Sequence, residues 1–226
     1  MVDMRNQYDS VGKEFLHGVR RFFCSHQDIS SDFILSEARK VGLKNRKILD
    51  LGCGGGDLML KFIKNGANQI SGIDQSGLML SEARRLGIDA THLTHGSFEK
   101  TKFKSKSFDI VISRFAIQHL KSFTKLYLEV MRILKSKGHF IFVVPHPTLD
   151  FLFMRSREYG REEVYSFRLF RRLVVRNYSH PLYKYLSSQF LSSFDVKMIT
   201  EGRDMKGVYK GFKAPEFLGI SAQKRA

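Results

Sequence analysis

The sequence predicts an α/β protein with a doubly wound, mostly parallel sheet and helices on both of its faces. Short apolar runs alternate with amphipathic segments of helical length between residues 47 and 145, a rhythm typical of consecutive βαβ units. A glycine-rich segment follows the first of these runs, at the end of a strand where open α/β sheets bind ligands. The 226 residues suit a single domain of this class.

Five strands of this rhythm are predicted where apolar runs end in glycine or polar residues. They span residues 47–51, 69–74, 90–95, 108–113 and 139–145. Helices between them are predicted over residues 58–63, 76–86 and 123–134. Apolar residues at helical spacing predict further helices within the first 45 residues.

The rhythm stops after residue 145. The segment 146–179 is much longer than a typical connection of about 2–6 residues. We therefore expect it to be an inserted cap with its own hairpin, formed by strands 164–170 and 173–178. A helix over 182–194 and strands over 195–200 and 217–223 follow. We expect residues 1–226 to form one domain.

The composition is globular, with 42% hydrophobic and 27% charged residues. Lysine and arginine total 38 against 22 acids, a net charge of +16. This charge can attract nucleic acid, an anionic membrane surface or an acidic small molecule, or can serve solubility alone. The basic residues are spread along the chain rather than gathered in a tail.

Several features favour a cytoplasmic protein in a reduced state, without a membrane partner. No stretch approaches the roughly 20 apolar residues of a membrane helix, and the polar N-terminus lacks the apolar core of a signal peptide. The two cysteines, Cys24 and Cys53, are too few for a disulfide framework or a cysteine-only metal site.

The most informative segment is DLGCGGG, residues 50–56, where the first predicted strand leads into a helix. Glycine allows a tight turn and lets a ligand lie against bare main chain, and N–H groups of the following helix face it. The dinucleotide pattern G-x-G-x-x-G fails, because the sixth position from Gly52 is Asp57. The pattern D-x-G-x-G-x-G matches at Asp50, Gly52, Gly54 and Gly56, and no G-x-x-x-x-G-K-[ST] occurs.

Asp74 closes the second predicted strand, 22 residues after Gly52. A carboxylate there can accept both hydrogen bonds from a ribose diol, as in other nucleotide-binding α/β folds. An acid at a strand end can also be a simple cap. Together with the glycine loop, Asp74 predicts a site for a nucleoside-containing cofactor.

With these residues the sequence resembles the class I S-adenosylmethionine-dependent methyltransferase family. The resemblance runs from about Tyr8 to the last strand. Its segments, in family order, are ILDLGCGGG, GIDQS, GSFEKTKF, SFDIVISRFAIQHL and RILKSKGHFIFVVPHP. It implies a Rossmann-like sheet of seven strands in the order 3-2-1-4-5-7-6, six of them parallel, and an N-terminal lid over residues 1–45.

The resemblance implies S-adenosyl-L-methionine as cofactor, with S-adenosyl-L-homocysteine as product. The backbone around Gly52, Cys53 and Gly54 would hold the methionyl portion. Asp50 would order that loop, and Arg114 would line the same side through its backbone.

The adenosyl portion would lie on the second strand. Asp74 would hold the ribose hydroxyls, and Gln75 and Met79 would border the adenosine. Ser97 and Phe98 would meet the adenine edge. The family often has an acid at the position of Ser97; a serine hydroxyl can still accept from the adenine amino group, but more weakly than a carboxylate.

A catalytic base is required only if the acceptor arrives protonated. His119, after the fourth strand, is the first candidate, with local packing as its alternative role. His146, at the end of the fifth strand, is the second candidate. His180 is either a structural cap or a substrate contact, and we expect Tyr8 near the cofactor.

The absence of several motifs disfavours some classes of methyl acceptor. Residues 113–116 are Ser-Arg-Phe-Ala rather than an Asn/Asp-Pro-Pro-aromatic run, which disfavours methylation of exocyclic amino groups on nucleic-acid bases. No cysteine lies near the fourth or sixth predicted strand, so methylation of cytosine C5 through a thiolate adduct is disfavoured. Asp150 alone is a poor magnesium site, so we expect no metal.

The inserted cap mixes arginines with aromatic residues, a combination that can bind stacked bases or an anionic aromatic ligand, or can pack on the sheet with the arginines in water. The leading hypothesis is methyl transfer to a small molecule, anionic or aromatic. The alternatives are an RNA methyltransferase that uses the basic cap and a non-catalytic cofactor-binding module. The sequence leaves the oligomeric state open.

Overall fold

The computed structural model describes residues 7–9, 16–18, 28–169, 173–203 and 214–226. The strands are β1 (Ile48–Leu51), β2 (Ile70–Asp74), β3 (Leu93–His95), β4 (Phe108–Arg114), β5 (Leu134–Pro145), β6 (Val164–Leu169), β7 (Leu173–Tyr178), β8 (Phe194–Gly202) and β9 (Phe217–Lys224). The helices are α1 (Ile29–Val41), α2 (Asp57–Lys64), α3 (Gly77–Arg85), α4 (Thr124–Ile133), α5 (Pro147–Phe153), α6 (Leu182–Tyr185) and α7 (Ser188–Ser193). Residues 7–9 and 16–18 are also helical.

Seven strands form one sheet in the order β3-β2-β1-β4-β5-β9-β8. Strands β3, β2, β1, β4 and β5 pair in parallel, and β9 runs antiparallel to both β5 and β8. With the separate β6–β7 hairpin set aside, this is the predicted order 3-2-1-4-5-7-6, so the predicted fold class is confirmed.

Alternating side chains of the central strands feed two hydrophobic cores, one on each face of the sheet. Val111 and Phe140 belong to one core, and their neighbours Ile110 and Ile141 to the other. Helices α4, α6 and α7 cover the first face, and α1, α2 and α3 cover the second. Because both faces are covered, these strands are apolar along nearly their whole length.

Several element boundaries differ from the prediction. The predicted helix over 182–194 is two short helices, because the Ser187 side chain accepts a hydrogen bond from Phe190 N and begins α7 anew. Strand β5 begins at Leu134 rather than at residue 139, and its pairing with β4 shifts in register after Phe108. Strand β3 is shortened because Asp89 caps a single turn of 3-10 helix before it.

The predicted N-terminal and inserted segments are described only in part. Of residues 1–45, the structure describes α1 and two short helical pieces, and α1 packs against β4, β5 and β9. The insertion 146–179 contains α5 and the β6–β7 hairpin. The turn between the two predicted strands, at residues 171 and 172, lies outside the described residues. None of the described helices is long and apolar enough to cross a membrane.

Candidate functional site

A pocket lies at the carboxyl ends of β1, β2 and β4, which parallel pairing brings to one edge of the sheet. It holds about 1040 Å³ of empty space, counting its open mouth, near the upper end of small-molecule sites. Its lining is Tyr8, Leu16, Asp50, Gly52, Cys53, Gly54, Gly55, Asp57, Leu58, Asp74, Gln75, Met79, Phe98, Arg114, Phe115, Ala116, His119 and Leu120.

The glycine loop is held against the sheet by backbone hydrogen bonds. Gly52 N and Cys53 N donate to Ile73 O, at 2.8 and 3.1 Å. Gly52 has φ +72°, and a Cβ built there would lie 2.3 Å from the Cβ of Ala116, so only glycine fits. A Cβ at Gly54 would meet nothing within 4 Å, which leaves bare main chain open to a ligand.

Asp74 joins the glycine loop to the end of β2. Gly54 N donates to Asp74 Oδ2 at 2.8 Å, and Ser76 N donates to Asp74 Oδ1 at 2.9 Å. Each oxygen has a second lone pair, so the carboxylate can still accept from a diol. Burial raises the pKa of Asp74, while the backbone N–H groups of Ser76 and Gly54 oppose the rise.

Asp50 is a second buried carboxyl group in the same pocket, only 2% exposed. Burial raises its pKa to about 7; the nearby Arg114 opposes this rise and the charge of Asp74 adds to it. A cation bound in the pocket would favour the ionised form of both acids.

Arg114 connects the pocket to the N-terminus of α1. Its guanidinium donates to Asp28 Oδ1 at 3.0 Å and to Ser31 Oγ at 2.5 Å. Asp28 also caps α1 through Ser31 N and pairs with Lys61 of α2 at 3.3 Å. Burial alone would raise the pKa of Asp28, but Arg114, Ser31 and Lys61 outweigh it and lower that pKa.

His119 lines the same pocket, in a 3-10 turn after β4. Its Nε2 is 3.1 Å from Tyr8 Oη, and Gln7 Nε2 is 3.4 Å from its Nδ1. Burial lowers the pKa of His119 to about 4, so the imidazole is neutral at pH 7. A neutral imidazole has one nitrogen that can accept a proton.

The structure brings most of the predicted site residues together. Those that line the pocket are Asp50, Gly52, Cys53, Gly54, Asp74, Gln75, Met79, Phe98, Arg114 and His119. Ser97 does not line it, and its hydroxyl accepts a hydrogen bond from Glu99 N at 3.2 Å.

His146 also lies outside the pocket lining. Its Nδ1 accepts from Thr148 N at 3.1 Å and so caps α5, and its Nε2 lies 2.8 Å from Glu201 Oε1. These contacts give His146 a local structural role, and its catalytic role stays a prediction from the sequence.

Sequence reasoning missed several residues of the lining. These are Leu16, Gly55, Asp57, Leu58, Phe115, Ala116 and Leu120. Most of them directly follow β1 or β4, and the rule that ligands bind at the carboxyl ends of parallel strands could have found them. Leu16 carried no such signal.

The pocket fits a nucleoside cofactor in its chemistry. The main chain at Gly54 is open, the Asp74 carboxylate can accept from a ribose diol, and Met79 and Phe98 give apolar walls for a base. Among the residues that the structure describes, no group of three His, Cys, Asp or Glu side chains could hold a metal ion.

Comparisons with known proteins agree with this fold. The sequence profile of a family described as a methyltransferase domain matches residues 49–142. The uncharacterized methyltransferase YcgJ of Bacillus subtilis is 28% identical over 54% of this chain and 48% of its own length. The ubiquinone/menaquinone biosynthesis C-methyltransferase UbiE of Rickettsia massiliae is 31% identical over 46% of each chain.

A solved structure has the same fold. The crystal structure of an S-adenosylmethionine-dependent methyltransferase from Mesorhizobium loti aligns with a TM-score of 0.61 at 23% identity, over 80% of this chain and 92% of that one. The chain spans about half the length of the curated relatives it matches. Residues 49–142 thus match a methyltransferase domain, and the fold is that of the S-adenosylmethionine-dependent methyltransferase from Mesorhizobium loti.

Proposed function

We propose that this chain transfers a methyl group from S-adenosyl-L-methionine to a small-molecule acceptor. One observation carries the proposal: the open glycine loop and the Asp74 carboxylate are hydrogen-bonded to each other in one pocket, at the carboxyl edge of the sheet. A bare main chain beside a diol-binding carboxylate is what an adenosyl amino acid requires.

In this proposal, the loop residues Gly52, Cys53 and Gly54 hold the methionyl portion through their backbone, and Asp74 accepts hydrogen bonds from the ribose. Gln75, Met79 and Phe98 enclose the adenosine. Asp50 and Arg114 border the methionyl side. Ser97 has no direct contact in this arrangement.

When bound, the cofactor supplies an electrophilic methyl group on a sulfonium and leaves as S-adenosyl-L-homocysteine. The chain's own residues position the acceptor, exclude water and, where needed, take up a proton. The buried carboxyl of Asp50 would provide negative charge to the pocket wall once it ionises. Positioning of this kind can contribute several kcal/mol, about 7–11 at most.

His119 is the residue we propose as base. It lines the pocket, and its neutral ring has one nitrogen that can accept a proton from an acceptor O–H or N–H, although its lowered pKa makes it a weaker base than a free imidazole. Tyr8, 3.1 Å from Nε2, would orient the ring. For an acceptor that arrives unprotonated, His119 would act only as a wall of the site.

We further propose that the insertion 146–179 is the substrate cap and that residues 1–45 form a lid. In support, strand β7 packs on the 3-10 turn that carries His119, and Gln7 donates to Arg176 O at 3.2 Å and accepts from Arg176 N at 3.0 Å. These contacts link both segments to the same side of the pocket.

Calorimetric titration with S-adenosyl-L-homocysteine tests the cofactor assignment. Replacement of Asp74 by Ala should abolish measurable binding, because the ribose loses its acceptor and the glycine loop loses its anchor. Asp89→Ala is the matched control: Asp89 also accepts backbone hydrogen bonds, from Thr91 N at 2.8 Å, but lies outside the pocket. Normal binding by the Asp74 variant would refute the ribose role.

The charge of +16 favours RNA as the second candidate acceptor. If RNA is the substrate, affinity for transfer RNA should fall steeply as salt rises, because bound phosphates release counterions. Salt-insensitive or undetectable binding would remove this candidate.

A further inference from the structure

Three separate parts of the chain meet at His119. The 3-10 turn after β4 carries this residue, strand β7 of the inserted hairpin packs against the turn, and Gln7 and Tyr8 come from the N-terminal segment. Both His119 and Tyr8 line the cofactor pocket. A neutral imidazole carries its proton on one nitrogen and accepts at the other, so the contacts of this ring decide which nitrogen can take up a proton.

The side chain of Gln7 is bonded to the backbone of Arg176 in β7 through both of its amide atoms. Arg176 N donates to Gln7 Oε1 at 3.0 Å, and Gln7 Nε2 donates to Arg176 O at 3.2 Å. Because a backbone N–H can bond only to the amide oxygen, the first contact fixes the orientation of the amide. Gln7 thus bonds to β7 as a neighbouring strand would, and it holds the Arg176 carbonyl in place.

The ring of His119 is also hydrogen-bonded to the backbone of Arg176. Burial lowers the pKa of His119 to about 4, and this hydrogen bond opposes the fall. A hydrogen bond that favours the protonated ring is one that the ring donates, so its acceptor is the Arg176 carbonyl. Nδ1 is the ring nitrogen on this side, because Gln7 Nε2 lies 3.4 Å from Nδ1 and 3.2 Å from that carbonyl oxygen. The oxygen has two lone pairs and can accept from both donors.

The other ring nitrogen, Nε2, faces groups that can donate. Tyr8 Oη lies 3.1 Å from it, and Gln118 Nε2 lies 3.4 Å from it. A hydroxyl can donate or accept, so it adapts to a ring whose proton is on Nδ1. Tyr8 then donates to Nε2 the hydrogen bond that the O–H or N–H of a methyl acceptor would donate.

A backbone carbonyl is well suited to fix the proton of a histidine ring. It can only accept, so the proton stays on the nitrogen that donates to it while the bond lasts. Such a bond sets both the tautomer and the orientation of the imidazole. A carboxylate in the same place would also favour the charged ring, whereas the Arg176 carbonyl fixes the proton without adding a negative charge beside His119.

We propose that the inserted hairpin selects the proton-accepting nitrogen of His119. The Arg176 carbonyl holds the ring proton on Nδ1, Gln7 holds that carbonyl in place, and Nε2 is left to take a proton from the methyl acceptor. Gln7 and Arg176 act through His119 and are therefore positioning residues. This inference rests on the proposed role of His119 as base and adds which nitrogen acts and what sets it.

The proton transfer follows from this arrangement. The acceptor's O–H or N–H replaces the Tyr8 hydroxyl at Nε2. Its oxygen or nitrogen forms the bond to the methyl carbon, whose bond to sulfur breaks, and its proton passes to Nε2. The ring then carries a proton on each nitrogen, and the bond from Nδ1–H to the Arg176 carbonyl stabilises this charged form.

Long-range ¹H–¹⁵N correlation spectra of the histidine rings test the proposal without an acceptor. Protonated and unprotonated ring nitrogens differ widely in ¹⁵N chemical shift, and the signals of His119 are identified by their loss in His119→Gln. At pH 7 the Nδ1–H tautomer should exceed the Nε2–H tautomer by about tenfold, the ratio that one well-placed hydrogen bond sustains. A ring protonated mainly on Nε2 would overturn the proposal.

Three variants show which contact sets the tautomer. Gln7→Met removes both bonds to the Arg176 backbone and should bring the two tautomers of His119 towards equal amounts. Tyr8→Phe removes only the hydroxyl at Nε2 and should keep the Nδ1–H excess. Arg176→Ala is the matched control, because the exposed side chain of Arg176 is lost while its N–H and carbonyl remain, and it should leave the spectrum unchanged.

An unchanged spectrum in Gln7→Met, or loss of the Nδ1–H tautomer in Tyr8→Phe, would also overturn the proposal. The spectra are recorded with and without S-adenosyl-L-homocysteine, which separates the two claims. If this ligand binds while His119 carries its proton on Nε2, only the present inference is contradicted. Failure of the ligand to bind would instead contradict the proposed function.

Discussion

At the scale of single residues, the cofactor pocket depends on buried acids and on glycine. Asp50 and Asp74 are both nearly enclosed, and burial raises the pKa of each. An enclosed acid is costly when ionised unless a cation or hydrogen bonds compensate. We infer that a positively charged ligand offsets the cost of ionising these acids.

Asp50 should make the free protein less stable as the pH rises. Its folded pKa of about 7 exceeds its unfolded value, so its contribution is present in acid and is lost as the pH rises through 7. Asp50→Asn should remove this loss, and the variant's stability relative to wild type should rise by up to about 1.4 kcal/mol per pH unit between pH 4 and 7. Urea unfolding over this range measures it, and a constant difference between the two proteins would contradict the assignment.

Gly52 should tolerate a side chain far less than other glycines of positive φ. Gly52→Ala would bring a Cβ within 2.3 Å of Ala116 Cβ, whereas Gly66, at φ +95°, has open space around it. Gly66→Ala should cost only the left-handed backbone strain, about 1–2 kcal/mol. Gly52→Ala should cost clearly more in urea unfolding, and equal losses would show that the loop can relax.

The residues explain which site assignments the sequence could support. The glycines and Asp74 could be predicted because their requirements, a positive φ and a strand end, are local. The sequence could not give the direction of a side chain at a strand end, so it did not show that His146 turns back to cap α5. Nor did the sequence show that the Ser97 hydroxyl accepts a hydrogen bond from Glu99 N.

At the scale of elements, Asp28 holds three of them together. It caps α1, pairs with Lys61 of α2 and receives Arg114 from the end of β4. The strand–helix alternation predicted most of these elements, but the break between α6 and α7 depends on one hydroxyl, that of Ser187. Gly138 was expected to end the preceding helical unit, but strand β5 already begins at Leu134, which pairs with Phe108 of β4.

Asp28→Ala should therefore destabilise the protein by about 2 kcal/mol or more, through loss of the helix cap and of the ion pair with Arg114, whose side chain is only 14% exposed. Asp32→Ala is the comparison, because Asp32 is 64% exposed and its pair with Lys61 is a surface one, worth about 0–1 kcal/mol. Urea unfolding of both variants separates the two. Similar losses would mean that Asp28 acts as an ordinary surface acid.

At the scale of the whole molecule, the sheet gathers the ends of three strands into one pocket, and the remaining surface carries the positive charge. The strand order that the family resemblance implied was confirmed. The net charge of +16 does not determine the fold, and it attracts anionic partners only at long range.

Ligand binding should stabilise the whole domain. S-adenosyl-L-homocysteine at 100 times its dissociation constant should add about 2.7 kcal/mol to the free energy of unfolding. The melting temperature should rise by about 5–11 °C, since each kcal/mol shifts it by about 2–4 °C for a chain of this size. Thermal unfolding followed by circular dichroism measures the rise, which should vanish in Asp74→Ala and persist in Asp89→Ala; a rise that persists in both would place the ligand elsewhere.

A crystal structure of the complex with S-adenosyl-L-homocysteine tests the central claim most directly. It should show the ribose hydroxyls within about 2.6–3.2 Å of the Asp74 carboxylate oxygens, as for ordinary hydrogen bonds. The bond from Gly54 N to Asp74 Oδ2, now 2.8 Å, should remain. A nucleoside bound away from Asp74, or a glycine loop that does not touch the ligand, would contradict the account.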